Sequence, residues 1–458
     1  MKTDSETIFA LASAPGRGGV AVVRVSGVQA GTALLALAPD LKSLPVPRMA
    51  TRVFLYAPES IAGNSAAPSD RIDDGLALWF PGPASFTGED VVELHVHGGA
   101  AVLDALLTSL SRLGGLRPAN PGEFTRRAFE YGKMDLTAAE AIADLVDAET
   151  TAQRRQALAQ MGGGLAALYD DWRRRLVGAM AFTEASIDFA EEDIPDDLVR
   201  QSLEAVATVA EELRAHLNDQ NVGERIRDGF RIALTGAPNV GKSSLMNALA
   251  KRDVAIVSAT AGTTRDAIEV PLDLGGFPAI LIDTAGLRDS DDEIEQEGVR
   301  RARAHAAAAD VRIVLLDAMA AQGMPEVPAI DQMEIIAVNK IDEAPAPAWV
   351  DGVNVLGLSV KTGDGLRVFI AAMTDRVRVL AGSRATSTPP LTRARHRYAL
   401  EACADALGRV LAGAEAGADV EMVAEDLRLA AQALGRITGR VDVEELLDKI
   451  FRDFCIGK

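Results

Sequence analysis

One octapeptide constrains this chain more than any other feature. Gly236-Ala237-Pro238-Asn239-Val240-Gly241-Lys242-Ser243 matches G-x-x-x-x-G-K-[ST], after the apolar run Phe230–Thr235 and before a stretch with Leu245 and Leu249 at helical spacing. A strand that turns through glycines into a helix aims backbone N–H groups and a helix N-terminus at one point, where an anion fits. In such a loop Lys242 neutralises the outer phosphates of a nucleotide and the Ser243 hydroxyl ligates Mg²⁺. Asn239, Val240, Gly241 and Ser244 belong to the same cradle. The alternative is a glycine turn ahead of a core helix; the strand before and the helix after favour the phosphate reading.

Beyond this loop, apolar runs at residues 279–282, 311–316, 334–338 and 355–358 alternate with helical segments. That alternation is the signature of a parallel sheet covered by helices. Short polar motifs stand at the strand ends. In Asp283-Thr284-Ala285-Gly286, Asp283 can hold a metal through water and Gly286 can offer its N–H to a γ-phosphate. In Asn339-Lys340-Ile341-Asp342, the Asp342 carboxylate can accept both guanine N1–H and the 2-amino group. Adenine lacks both donors and would leave that charge unpaired. Ser359-Val360-Lys361 supports the base edge from the last strand. In Gly262-Thr263-Thr264-Arg265-Asp266, a threonine can reach Mg²⁺ when the γ-phosphate is present, although a polar loop with an N-cap explains either threonine taken alone. Together these motifs read as a GTPase. Leu287 stands where Ras-type enzymes place a water-orienting Gln, so hydrolysis needs another group.

The rest of the chain surrounds this block. Residues 1–131 mix strand-like runs (20–25, 76–80, 91–97) with a helical stretch, 100–113, and a Ser/Ala/Pro/Asp-rich surface loop at 59–74. From Leu136 the period becomes helical: Leu136, Ala139, Ile142, Leu145 and Val146 share a face, and Thr137 with Glu140 fits a capping box. Helical composition continues through 165–182 and 198–217. After a polar linker at 383–390, helices resume with Val420, Val423, Leu427 and Leu434 on one face, then Val443, Leu446, Leu447, Ile450 and Phe451 on another. The reading is multidomain: an N-terminal α+β domain (1–131), a helical domain in two parts (132–228 and 385–458), and an inserted Ras-like α/β P-loop domain (229–384).

Composition excludes several classes. With 48% apolar and 25% charged residues, disorder is not the whole story. Cys403 and Cys455 allow at most one bridge, which fits a reducing, cytoplasmic compartment better than a disulfide framework. No run reaches the roughly 18–20 apolar residues of a membrane span, and the N-terminus does not read as a signal peptide. The net charge of −19 argues against a surface generally made for nucleic acid, leaving local patches. Arg173–Arg175, Arg300-Arg301 and Arg393/Arg395/Arg397 read as solvated helix faces. Glu93, His95 and His97 share a strand face and read as a polar face beside a small-molecule cleft rather than a metal site. Pro15-Gly16-Arg17-Gly18-Gly19 is a basic turn, either a plain loop or an anion site.

The motifs together resemble one family, the MnmE (TrmE) tRNA modification GTPases, over essentially the full length. Its markers outside the nucleotide motifs are Pro15–Gly19, Phe86-Thr87-Gly88-Glu89-Asp90, Pro121-Gly122-Glu123-Phe124-Thr125, Gly132-Lys133-Met134-Asp135-Leu136 and the terminal Cys455-Ile456-Gly457-Lys458. The resemblance implies an N-terminal tetrahydrofolate-binding and dimerisation domain, with 5-formyl- or methylene-tetrahydrofolate contacts on Arg24, Glu93, Lys133 and Lys458. It implies a homodimer whose G domains meet across their switch regions, with K⁺ in the role of an arginine finger. Asn239, Ser258, Thr260 and Thr263 would carry K⁺, and Ser243 and Thr264 would carry Mg²⁺. Ala259, Ala261 and Gly262 would line the same loop around GTP. Glu295 would align the attacking water, which accounts for Leu287, and Cys455 has a catalytic part as a hypothesis only. A FAD-dependent partner, MnmG (GidA), would join in a heterotetramer or larger complex to modify C5 of the wobble uridine of certain tRNAs to an aminomethyl-type group. A switch GTPase of ribosome assembly is the alternative, and it should carry an RNA-binding appendage. A third reading makes the N-terminal domain a folate-dependent aminomethyl transferase with GTP incidental.

Overall fold

A computed structural model describes residues 6–58, 71–188, 196–252, 254–256, 269–283, 309–321, 334–346, 355–382, 389–441, 444–452 and 454–457. The chain divides into two units, Met1–Ala143 with Thr438–Lys458, and Asp144–Ile437.

The first unit is built on strands β1 (Thr7–Leu11), β2 (Gly18–Ser26), β3 (Thr51–Tyr56), β4 (Arg71–Phe80), β5 (Val91–Gly98) and β6 (Leu116–Pro118). Their order across the sheet is β3-β4-β5-β2-β1-β6. Alternation decides which face is buried. Val23, Val25, Val92, Leu94, Val96, Ala77 and Trp79 pack on helices α1 (Ala30–Leu37) and α2 (Ala100–Ser111) through Leu34, Leu37, Leu106 and Leu110. The residues between them put Arg24, Glu93 and His95 on the opposite face, where Arg24 stands directly across from Glu93. Helix α3 (Glu123–Glu130) closes part of that face by packing Phe124 on Ile8, Ala10 and Phe86.

Two local expectations are corrected here. Residues 71–74, read as loop, begin β4, because Asp73 and Asp74 find partners in His97 and Arg52; residues 59–70 lie outside the described residues. Helix α4 (Leu136–Asp147) is capped by Asp135, not Thr137. Asp135 Oδ1 accepts from the Thr137 N–H at 2.7 Å and its hydroxyl at 2.6 Å, and Thr137 itself is buried inside the first turn. A capping box does occur one helix later, where Thr150 and Gln153 open α5 (Thr151–Met161).

In the second unit, α6 (Gly164–Asp188), α7 (Asp196–Leu217), α8 (Val222–Asp228), β7 (Phe230–Thr235), α9 (Lys242–Ala250), β8 (Glu269–Leu274), β9 (Phe277–Asp283), β10 (Val311–Asp317), α10 (Ala318–Ala321), β11 (Glu334–Asn339), β12 (Val355–Gly357), α11 (Leu366–Ala381), α12 (Ala394–Ala416) and α13 (Val420–Thr438) follow in order. The sheet runs β12-β11-β10-β7-β9-β8, parallel except for the edge strand β8. Phe230, Ile232, Leu245, Leu281, Ile313, Leu315 and Phe369 form its core. A separate core joins Tyr169, Trp172 and Leu176 of α6 to Val209 and Leu213 of α7, Leu400 and Leu407 of α12, and Leu427 and Leu434 of α13. Helices before and after the sheet in sequence thus share one core.

The C-terminus folds back within the first unit. Leu447 and Phe451 of α14 (Glu444–Arg452) pack with Phe454 on Leu136 and Ala139. At Gly457 (φ +98°) a Cβ would lie 2.0 Å from the Leu11 carbonyl oxygen, so the tail passes β1 at a distance that only glycine permits. Among the described residues no helix is long and apolar enough to cross a membrane.

Candidate functional site

Strand β7 is buried in the middle of its sheet, and its C-terminal end opens into the glycine loop. Gly236 has φ +148°, and a Cβ there would lie 2.3 Å from the Leu315 carbonyl oxygen, so glycine lets the loop leave the sheet past β10. Gly241, at φ +100°, caps α9 with its backbone against Asn339 Nδ2. The loop wraps Lys242: its Nζ donates to the Gly236 carbonyl at 2.7 Å and the Ala237 carbonyl at 2.8 Å. Burial pushes the Lys242 ammonium below its ordinary value, and the nearby Asp283 carboxylate opposes that shift. Ser243 Oγ stands 3.4 Å from Asp283 Oδ2. A hydroxyl and a buried carboxylate at the head of a helix form a hard-oxygen donor set suited to Mg²⁺.

The base side is assembled from strand ends. Asn339 closes β11, donates to the Val240 carbonyl at 2.8 Å, and accepts from the Val360 N–H at 3.1 Å. Asp342 accepts from Ser359 Oγ at 2.7 Å, which holds its carboxyl below the usual carboxylate range, and Lys361 Nζ lies 3.8 Å away. Lys340 pairs with Asp317. The structure therefore brings together Asn239, Val240, Gly241, Lys242, Ser243, Ser244, Asp283, Asn339, Lys340, Asp342, Ser359, Val360 and Lys361 around the C-terminal ends of parallel strands, where open α/β sheets bind ligands. Ser258, Ala259, Thr260, Ala261, Gly262, Thr263, Thr264, Thr284, Ala285, Gly286, Leu287, Glu295 and Lys458 lie outside the described residues.

A second cluster lies on the open face of the first unit's sheet. Arg24 donates to Glu93 through Nε at 3.0 Å and Nη2 at 2.8 Å. Its guanidinium carbon lies 5.3 Å from the Phe86 ring centroid and 5.6 Å from that of Phe124. His95 Nε2 lies 3.6 Å from Glu93, His97 bonds to Asp73, and Lys133 Nζ donates to the Pro83 carbonyl at 2.7 Å. Two residues along β2 from Arg24, Ser26 joins a buried polar network on the same face. Glu89 accepts from Ser26 Oγ and from Arg127 Nη1, and Arg127 also binds Glu123. Sequence reasoning missed this support for the Phe86 loop, and it missed Asp317. The signal for Asp317 was present, since it ends an apolar strand as Asp283 does.

The Arg393/Arg395/Arg397 cluster is not a free face. Arg397 binds Asp219, Glu224 and the Leu217 carbonyl, and Arg393 binds Asp144. Arg174 and Arg175 pair with Asp171. The expectation of solvated helix faces holds for Arg174, which is 73% exposed, and is corrected for Arg393 and Arg397, whose ion pairs are largely buried; Arg300 and Arg301 lie outside the described residues. Cys455 is exposed, and its carbonyl accepts from Gly122 N–H, whereas Cys403 is buried and its thiol is pushed up to about 12.

A tRNA modification GTPase MnmE of Paramagnetospirillum magneticum is 56% identical to this chain over 459 residues, covering 99% of this chain and 100% of the relative. The chain belongs to the MnmE (TrmE) family of tRNA modification GTPases. The MnmE of Parvibaculum lavamentivorans is 53% identical, covering 99% and 100%. The family model for the MnmE helical domain matches residues 136–455, and that for the GTP-binding protein TrmE N-terminus matches residues 7–133. Among solved structures, the G domain of the T. maritima FeoB iron transporter is 28% identical over 33% of this chain and 98% of its own, with a TM-score of 0.23. This MnmE-family chain is a tRNA modification GTPase with a P-loop domain in a multidomain α and β architecture.

Proposed function

We propose that this GTPase acts in the cytoplasm on C5 of the wobble uridine of certain tRNAs, installing an aminomethyl-type group from a folate one-carbon unit with a FAD-dependent partner of the MnmG (GidA) kind. Arg24, Glu93, Lys133 and Lys458 hold the folate. The observation that carries this part is the Arg24 guanidinium, fixed by Glu93 and within cation–π distance of both Phe86 and Phe124. A charged plane near two rings suits a flat, polar heterocycle.

At the G domain, Lys242 and the loop N–H groups hold the phosphates, Asp342 reads the guanine edge, and Ser243 with Thr264 holds Mg²⁺. Asn239, at φ +65° and exposed, together with Ser258, Thr260 and Thr263 holds K⁺. K⁺ supplies positive charge beside the phosphates when bound. Glu295 orients the attacking water, since Leu287 has no atom that can do so. Two copies of the chain meet through their G domains to complete this arrangement.

Two measurements test the reading. GTP turnover in KCl should exceed that in NaCl, and Glu295→Ala should lower it by about two orders of magnitude; equal rates in both salts would sink the K⁺ role. Cells lacking this chain should lose the modified wobble nucleoside from their tRNA. Unchanged nucleoside composition would remove the tRNA chemistry while leaving the GTPase intact.

A further inference from the structure

Lys340 is the one residue of the Asn339–Asp342 loop with a left-handed backbone, φ +67°. For a long side chain that conformation needs compensation from outside the loop. The compensation comes from β10. Asp317 ends that strand directly across from Asn339 and places Oδ2 2.6 Å from Lys340 Nζ. Its other oxygen accepts from the Met319 N–H at 2.9 Å, so the carboxylate is itself anchored at the start of the next turn. Only 18% of the Asp317 side chain and 31% of the Lys340 side chain are exposed.

We infer that Asp317, which lies outside every nucleotide motif of the sequence, is a positioning residue that holds the Lys340 stem as a fixed wall for the guanine base. The ammonium is engaged at its far end, so what remains for a ligand is the four-carbon stem with a positive charge at its rim. Two residues on, the Asp342 carboxylate is pinned by Ser359 through Oδ1, with Lys361 Nζ 3.8 Å from its Oδ2, and is set to meet the base edge. On the other side, Asn339 is tied to Val240 and Val360. A flat purine whose edge meets Asp342 finds an apolar, cationic ledge of fixed geometry. A lysine without the tether would lose its rotamers on binding, which weakens affinity. The pair is charged on both sides: the hydrogen bond to Lys340 lowers Asp317, and the same bond raises Lys340, with smaller contributions from Glu343 and Asp342.

The inference rests on the guanine-nucleotide assignment of this loop, and the test separates the two. Full-length chain and its variants are titrated with GDP and with IDP, which lacks the 2-amino group. Wild-type chain that fails to bind GDP would overturn the guanine assignment itself. With wild-type binding in hand, Asp317→Asn should raise the GDP Kd by about three- to tenfold. The IDP Kd should rise by the same factor, because stacking does not involve the 2-amino group. Lys340→Met should match that loss, and Asp317→Asn added to Lys340→Met should cost nothing more. Asp317→Glu should recover part of the affinity. An unchanged Kd in Asp317→Asn overturns the inference, and so does an equal further loss in the Lys340→Met background. If Asp317→Asn does not fold, Lys340→Met and Asp317→Glu decide the matter alone: full affinity in Lys340→Met rejects the wall.

Discussion

Asn339 and Val240 stand 99 residues apart in sequence, yet the carboxamide of one donates to the carbonyl of the other at 2.8 Å in a buried position. This bond joins the glycine loop to the Asn339–Asp342 loop. Gly241 makes it possible, because a Cβ there would lie 2.3 Å from Asn339 Nδ2. The two loops are therefore held at one separation, and under the proposed nucleotide assignment that would reduce the ordering binding requires.

Asn339→Ala removes both ends of the clamp and leaves the Val240 carbonyl and the Val360 N–H without a partner. The expected cost is about 1–3 kcal/mol of stability, together with weaker GDP binding. Denaturant titration and nucleotide calorimetry on the same variant check both.

Asp342→Asn should exchange base preference. The amide can donate to a xanthine 2-oxo group but can no longer accept two guanine donors. Selectivity for GTP over XTP should fall by about two to four orders of magnitude, read as the ratio of kcat/KM values. Retained GTP preference would show that another group reads the base.

The Glu89–Arg127 pair is buried on both sides, at 6% and 5% side-chain exposure. Arg127→Ala leaves the Glu89 charge without that partner and should cost about 3–5 kcal/mol. Because this network holds Thr87 and Glu89 next to Phe86, binding of 5-formyl-tetrahydrofolate should weaken as well. Thermal unfolding with and without the folate separates the two effects.

His216 is buried against Tyr169 and Trp172, and desolvation lowers its pKa to about 4. The folded state keeps the ring neutral while the unfolded chain takes a proton near pH 6.5. Its contribution to stability is therefore complete above about pH 6.5 and shrinks as the pH falls toward about 4, by about 2–3 kcal/mol in all. Urea midpoints between these limits should show the slope, and His216→Phe should flatten it.

The G-domain strands were legible because each apolar run ends in a motif whose chemistry fixes its position: Thr235 before the glycine loop, Asp283 before Thr284, Asn339 before Lys340. The alternation of Glu93, His95 and His97 with Val92, Leu94 and Val96 was readable for the same local reason. Four other strands were not. Strands β1, β3, β6 and β8 are short or mixed in pattern, and their pairing partners are set by register rather than by composition. The cap at Asp135 was missed because Thr137 and Glu140 match a capping box by spacing, while burial of Thr137 decides against it.

By itself the sequence determined the chemistry, since a P-loop, its strand-end carboxylates and the marker segments are local patterns whose function follows from their residue types. Tertiary structure decided which side chains support that chemistry. Asp317 meets Lys340, Arg127 meets Glu89, and Gly457 passes Leu11, each across a gap in sequence that no local pattern spans. Such contacts arise from strand order and from helix packing on a face. The residues that hold a site therefore become visible only once the chain is folded.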